Sequence, residues 1–505
     1  MFHIFAAAIP DSKFKGGGIS GFSRANGDHD PHNHSNVENA TSTLANETPL
    51  RINNSTRSKK DMFHIFAAAT SDPKGGGTSV FSRGNDDFDP HKHRNVENPT
   101  SYGETMTHML KACIGAGLLA IPNAFKRLGL ICGTIGIIFL GVFATYCIQM
   151  LVIGQYVVCK KHRVGYLSYP KTMKLALQAG PPSLRWSANI FAIAVEVLLF
   201  VWQIGVCAVF LVFVAENLRQ FIQFLGGDLP VRLVILCLYP FLALVCMIKD
   251  LKVLAPLSTF SNCCNAFGLI LIFFYLIQED LVFKDSMLKM KSIIEIPLFI
   301  GVVLYALEAV GVILALERNM ENPKDFTGLF GLFSIGMVII VVMYTTLGIF
   351  GYIKYGEEVQ ASITLNLPQD EKKAQAAKLA FAGTILTSYP LQNFVAWQIL
   401  WLILQKKHPS ATVDYALRLG CATVPFLMAI AAPTLGPFIG LMGSLCLSTT
   451  AIMFPAVLDI CVLYPDKYGT GSYKLISDII TIVLGVFCCL SGVYISLLEM
   501  VETLA

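Results

Sequence analysis

With 505 residues of which 54% are hydrophobic and only 14% charged, and a formal net charge of +4, this chain is too apolar for a water-soluble globule of its length. Its mean hydropathy of +0.59 says the same. Nothing points to nucleic acid, and no phosphate-binding loop, catalytic triad or metal cluster points to an enzyme, so the chain reads as a polytopic membrane protein.

The first 103 residues differ in kind from the rest. They are polar, rich in Gly, Ser, Asn, Asp and His, and lack helical periodicity, which predicts a disordered tail. MFHIFAAA at residues 1–8 recurs at 62–69, followed both times by GGG, FSR and H(S/R)NVEN. Two glycine-rich polar copies cannot stack a core, and a duplicated first exon explains the repeat without assigning it a function. Seven of the ten histidines lie here, in DHDPHNH (28–34) and FDPHKH (88–93). A structural metal needs four ligands at defined spacing, so no metal or other cofactor is expected. The glycosylation sequons, at Asn39, Asn46, Asn53 and Asn54, also fall in this tail.

From residue 104 on the chain forms one transmembrane domain. A span needs about 20 mostly apolar residues to cross roughly 30 Å of hydrocarbon. Eleven segments qualify: 107–125, 128–158, 187–215, 231–248, 255–277, 297–316, 331–353, 378–404, 415–432, 435–458 and 475–500. They are too long for barrel strands, so the fold class is all-α with 11 transmembrane helices. The loop between the second and third spans carries Lys160, Lys161, Arg163, Lys171, Lys174 and Arg185 without an acid, and is expected to face the cytoplasm. That places the tail on the cytoplasmic side and the C-terminus across the membrane. All fourteen cysteines lie in or beside spans, and no structural disulfide is expected.

The first span, HMLKACIGAGLLAIPNAF (108–125), carries a histidine, a lysine, two glycines and a proline. Gly115 and Gly117 let a helix break, and a break at membrane depth is tolerated where it lines a cavity. Free N–H groups of one half-helix and free carbonyls of the other then suit the carboxylate and ammonium of a zwitterion. The alternative is a small-residue packing face that needs no ligand. The sixth span, LYALEAVGVILALERNM, carries Glu308, Gly311 and Glu317, and two interrupted spans five helices apart are what an inverted-repeat transporter requires. Glu308 is costly if charged and is expected to face a cavity or stay protonated. Glu317, with Arg318 and Glu321, is expected as an interfacial cap or gate ion pair. Lys111 is expected to snorkel to the interface. Thr384, Thr387, Ser388 and Tyr389 read as interhelical glue, with an ion site as the alternative.

GETMTHMLKACIGAGLLAIPNAF, YALEAVGVILALERNM and SITLNLP (362–368) together resemble the proton-coupled amino acid transporters of the amino acid/auxin permease family, over residues 102–500. The resemblance implies a leucine-transporter-like core of five plus five inverted helices with one added, and substrate between the first and sixth spans. It implies that Ile114, Gly115, Ala116 and Gly117 bind the carboxylate through their backbone. Cys113 and the stretch Leu307, Glu308, Ala309 and Val310 would receive the amino group. It links His108 to proton coupling, with Glu308 as a second candidate. An unperturbed pKa of about 6.5 suits such a role, and no other histidine falls within a predicted span. Ala309 departs from the family, which has glycine there.

The function so implied is symport of small neutral amino acids of the glycine, alanine and proline class with a proton, at a plasma or lysosomal membrane. Three alternatives stay open: an amino-acid sensor with little flux, signalling to a cytoplasmic partner through the tail; a sodium-coupled carrier; and a vesicular carrier of the same fold.

Overall fold

The computed structural model describes residues 88–94, 96, 99–248, 255–278, 285–307, 310–405 and 410–504. The principal helices are α1 (Tyr102–Cys113), α2 (Ala116–Leu128), α3 (Leu130–His162), α4 (Tyr169–Ala179), α5 (Ala188–Phe224), α6 (Val231–Cys246) and α7 (Ala255–Gln278). They continue with α8 (Ile296–Ala306), α9 (Val310–Asn319), α10 (Leu332–Tyr355), α11 (Lys372–Leu404), α12 (Ala411–Ala431), α13 (Leu435–Leu463) and α14 (Tyr473–Leu504).

Each of the eleven predicted spans coincides with a helix, or in the first and sixth cases with a pair of helices. Among the described residues, and taking α1 and α2 as one bent span, eight are long and apolar enough to cross a bilayer alone. The chain is an all-helical multi-span membrane protein. α5 and α13 form the centre, each 72% buried over its most apolar window, whereas α7 and α14 bury 28% and lie at the rim. On α14, Ile476, Ile480, Val483, Phe487, Leu490 and Tyr494 point outward at helical spacing, a stripe that suits lipid and not water.

The basic loop before α5 holds a helix that hydropathy missed. α4 buries Tyr169, Thr172, Met173, Ala176 and Leu177 against α5 and α13, with its lysines turned outward or half-covered. At 11 residues it is too short for a span search to detect. The Tyr169 hydroxyl donates to the Thr450 carbonyl at 2.8 Å, inside the wide-wound stretch of α13 over Gly443–Met453. A π-turn offsets its carbonyls from the usual register, and a side chain from outside takes up one of them.

α8 and α13 meet backbone to backbone. A Cβ on Gly443 would lie 1.8 Å from the Gly301 carbonyl oxygen, and one on Gly301 would lie 2.5 Å from that of Gly440. No side chain fits there, so the two helices approach as closely as their main chains permit.

Candidate functional site

The site is built where the two paired helices change direction. Ser101, Tyr102, Gly103 and Glu104 open α1 with a capping box: the Glu104 carboxylate accepts from the Ser101 N–H at 2.9 Å, and Ser101 Oγ accepts from the Glu104 N–H at 3.4 Å. The helix then buries one stripe, Thr105, Met109 and Cys113, each four residues on from the last, against α9 and α10. Met109 needs the missing side chain of Gly336, whose Cβ would sit 2.7 Å from its sulfur.

After Cys113 the chain leaves helical geometry at Ile114 (φ −89, ψ 101) and Gly115 (φ −167, ψ −157), and α2 starts at Ala116 with its axis turned by 55°. Gly117 plays a different part from the one sequence suggested. It lies inside α2, and a Cβ there would come within 2.6 Å of Ala306 Cα at the end of α8, so its role is close packing of the two broken spans and not unwinding. A Cβ at Gly115, by contrast, would meet nothing within 4 Å.

α8 ends at Ala306, capped by Leu307, and α9 begins at Val310. Glu308 and Ala309 lie outside the described residues, as does the side chain of Val310. The hydroxyl of Tyr344 on α10 is placed to donate to both terminal carbonyls, at 2.8 Å from that of Ala306 and also against that of Cys113. Asn265 on α7 donates through Nδ2 to the Ile114 carbonyl at 3.1 Å. Neither Tyr344 nor Asn265 stood out in the sequence, because ordinary polar residues in spans are common and only their approach to the break marks them.

Electrostatically the break is asymmetric. The N-terminus of α2 has no side-chain acceptor on its first N–H groups, because its cap is Gly115. Those donors and the positive end of the helix dipole face the space beside Gly115. The carbonyls of Cys113 and Ala306, at the ends of α1 and α8, accept from Tyr344, and that of Ile114 accepts from Asn265.

His108 is half-buried on α1, about one and a half turns before the break. Lys111 is exposed. Two of the α11 hydroxyls join helices, Thr384 Oγ1 donating to the Ser261 carbonyl of α7 at 3.1 Å and Tyr389 to the Ala422 carbonyl of α12 at 3.4 Å, whereas Thr387 and Ser388 donate back to the Thr384 carbonyl of their own helix at 2.8 and 2.9 Å. Among the described residues no group of three or more His, Cys, Asp or Glu is arranged around a metal position.

Glu317 pairs with neither Arg318 nor Glu321. Its carboxylate lies 3.3 Å from the guanidinium of Arg94, in the segment before α1, and 3.4 Å from His91 Nδ1. Burial first, then the Arg94 charge, pushes His91 down to about 4, so at neutral pH the ring is uncharged and its approach to Glu317 is not an ion pair. Arg318 instead lays its guanidinium over the Tyr166 ring, 4.4 Å from the centroid.

A family model described as transmembrane amino acid transporter protein matches residues 98–498. The chain is 33% identical over 436 residues to the proton-coupled amino acid transporter-like protein pathetic of Drosophila melanogaster, covering 85% of this chain and 91% of that one. It is 23% identical over 430 residues to the probable amino acid transporter skat-1 of Caenorhabditis elegans, covering 81% and 93%. Among solved structures it is similar to Mhp1, a nucleobase-cation-symport-1 family transporter in a closed conformation with bromovinylhydantoin bound. That match covers 84% of this chain and 97% of the other at 12% identity, and its TM-score of 0.48 is too low to speak for the fold.

Proposed function

The chain belongs to the transmembrane amino acid transporter protein family, and from that premise we propose that it is a proton-driven symporter of small neutral amino acids that binds them at the paired helix ends. The observation that carries this reading is the uncapped start of α2 beside open space at Gly115, facing carbonyl-rich ends of α1 and α8. The substrate carboxylate takes the N–H groups from Gly115 to Gly117. The ammonium takes the backbone carbonyls near Cys113 and over residues 307–310. Binding by main-chain groups fixes the amino-acid part and leaves the side chain to be selected by the space around it.

His108 carries the coupled proton in this reading, and Glu308 is a second group for its relay. The side of the bundle from which residues 88–101 enter faces the cytoplasm, supported by the six basic residues of the 160–185 stretch, and the C-terminus lies across the membrane. The relative named for proton coupling supports the choice of proton over sodium.

Uptake of labelled glycine, alanine and proline into cells or liposomes at pH 5.5 and 7.5, in sodium or choline, tests the proposal. Uptake is expected to rise at acid pH in either salt. Flux that requires sodium and ignores pH overturns the proton assignment, and tight binding without flux favours a sensor. His108→Ala is expected to flatten the pH dependence; unchanged pH dependence removes His108 from the role.

A further inference from the structure

The segment before α1 is seated in a pocket of its own. Pro90, His91, Lys92 and His93 make one tight turn whose start is capped by Asp89, which accepts from the His91 N–H at 3.1 Å. The turn presents two side chains inward. The His91 ring stacks on Tyr156 of α3 with centroids 4.6 Å apart, and Tyr156 donates to Asp89 at 3.4 Å. The Arg94 side chain, 6% exposed, enters beneath it: Nη1 lies 2.8 Å from the Glu317 carbonyl, 3.0 Å from the Arg318 carbonyl and 3.3 Å from Glu317 Oε1.

Two of these acceptors are last-turn carbonyls of α9, at the negative end of the helix dipole, and that of Glu317 accepts from the Met320 N–H as well. Arg94 thus caps α9 from another part of the chain. The pocket is shaped for main chain as well. A Cβ at Gly165 would fall 2.2 Å from the His93 carbonyl oxygen, so only glycine lets the segment lie down there. Further on, the Thr100 N–H donates to the Asn319 carbonyl at 2.8 Å and the Glu321 N–H to the Thr100 carbonyl at 2.9 Å, zipping the segment to the same helix end.

The duplication in the tail sharpens the meaning of this contact. The upstream copy reads HDPHNHS over residues 29–35 where the seated copy reads FDPHKHR over 88–94, so Ser35 stands in the place of Arg94. The cap and both histidines are repeated, but the guanidinium is not.

We propose that the pocket formed by α3, the turn at Gly165 and the end of α9 is a docking site for the chain's own segment 88–94, selected over its upstream copy by Arg94, whose release frees α9 and α1. The release step rests on the transport reading above; the docking itself does not. The segment bridges α9 to the start of α1, the two half-helices on this face, so its departure removes a tie between them. An arginine is the group for this task because its Nη1 lies among two carbonyls and a carboxylate while its Nε donates to the His91 carbonyl of its own segment at 3.3 Å.

The test uses the full chain in detergent or liposomes and follows tryptic cleavage after Lys92, with cleavage after Lys467, also exposed, as the control for general unfolding. Alkylation of the buried Cys113 by a maleimide serves as the readout of opening. Arg94→Ala is expected to speed cleavage after Lys92 at least tenfold and Cys113 alkylation several-fold, with cleavage after Lys467 unchanged. Asp30→Ala with His32→Ala, in the upstream copy, is expected to change none of the three. Unaltered cleavage after Lys92 in Arg94→Ala, equal acceleration after Lys467, or acceleration by the upstream variant each overturns the docking. If no amino acid is transported and Arg94→Ala still exposes Lys92, the docking stands and the transport reading falls.

Discussion

The two halves of the first span differ in how they are held. α2 buries eleven of its thirteen residues, packed between α8 and α10, and is tied beyond its end through Arg127 to Glu295 at 2.8 Å and to Glu499 at 2.6 Å. α1 buries three of twelve. It is fastened by one narrow stripe, by a capping box, and by the segment that leads into it. A scaffold half and a lightly held half, joined at Ile114 and Gly115, divide the labour of a site that must keep its geometry and also open.

The largest effect that bears on this contrast is expected from the two glycines. Gly117→Val drives a side chain into the backbone of Ala306 and should abolish uptake and lower stability by about 1–3 kcal/mol or more, the range for overpacking a filled core. Gly115→Ala meets open space and should leave the stability within about 0.5 kcal/mol of wild type while raising the uptake KM several-fold. Equal loss of stability in both would erase the distinction between scaffold and site.

Tyr344→Phe comes next. It withdraws one hydroxyl from two buried carbonyls, one from each broken span, at a cost of about 1–3 kcal/mol. Hydrogen exchange at the amides flanking the break should accelerate more in α1 than in α2.

Proton concentration should act on α1 through its leader segment. His91 sits at about 4 when docked and near the ordinary 6.5 when free, so the free form binds more protons. The His91 contribution to docking is therefore at full strength above about pH 6.5, weakens as the pH falls below it, and levels off under about 4, whereas Glu317, which burial raises to about 7, takes up its proton in the same range and works against it. Asp89 and Arg94 on the segment, Glu317 on α9, Lys324 just beyond it and Tyr156 on α3 face the ring and set this balance. Between pH 7.5 and 5.5, cleavage after Lys92 relative to that after Lys467 should rise roughly tenfold more in wild type than in His91→Gln, in which the His91 term is absent.

The smallest effect is expected from Ser101→Ala, which removes half of the capping box and costs about 1 kcal/mol of α1 stability. Exchange at residues 103–106 should speed up about fivefold with no change in α2. A matching change in α2 would mean the two halves unfold as one.

How much of this was legible in the sequence follows the same division. Apolar run length located every span, and the paired glycines located the first break, because those signals are local. Glu317 was recognised as an interfacial charge, but its partner Arg94 lies 223 positions away and only the fold brings them together. Gly117 was seen and misassigned, since a packing glycine and an unwinding glycine are written with the same letter. α4 went unseen because its burial comes from α5 and α13 and not from its own hydropathy. Tyr344 carried no local mark at all.

The backbone contact of α8 with α13 has a mechanical consequence. With Gly301 and Gly443 main chains touching, α8 and α13 are expected to move as one body, which leaves α9, ten residues and about 15 Å long, as the half of the sixth span expected to swing. Arg94 grips it at the far tip, where the moment arm is greatest and a single guanidinium restrains the most motion.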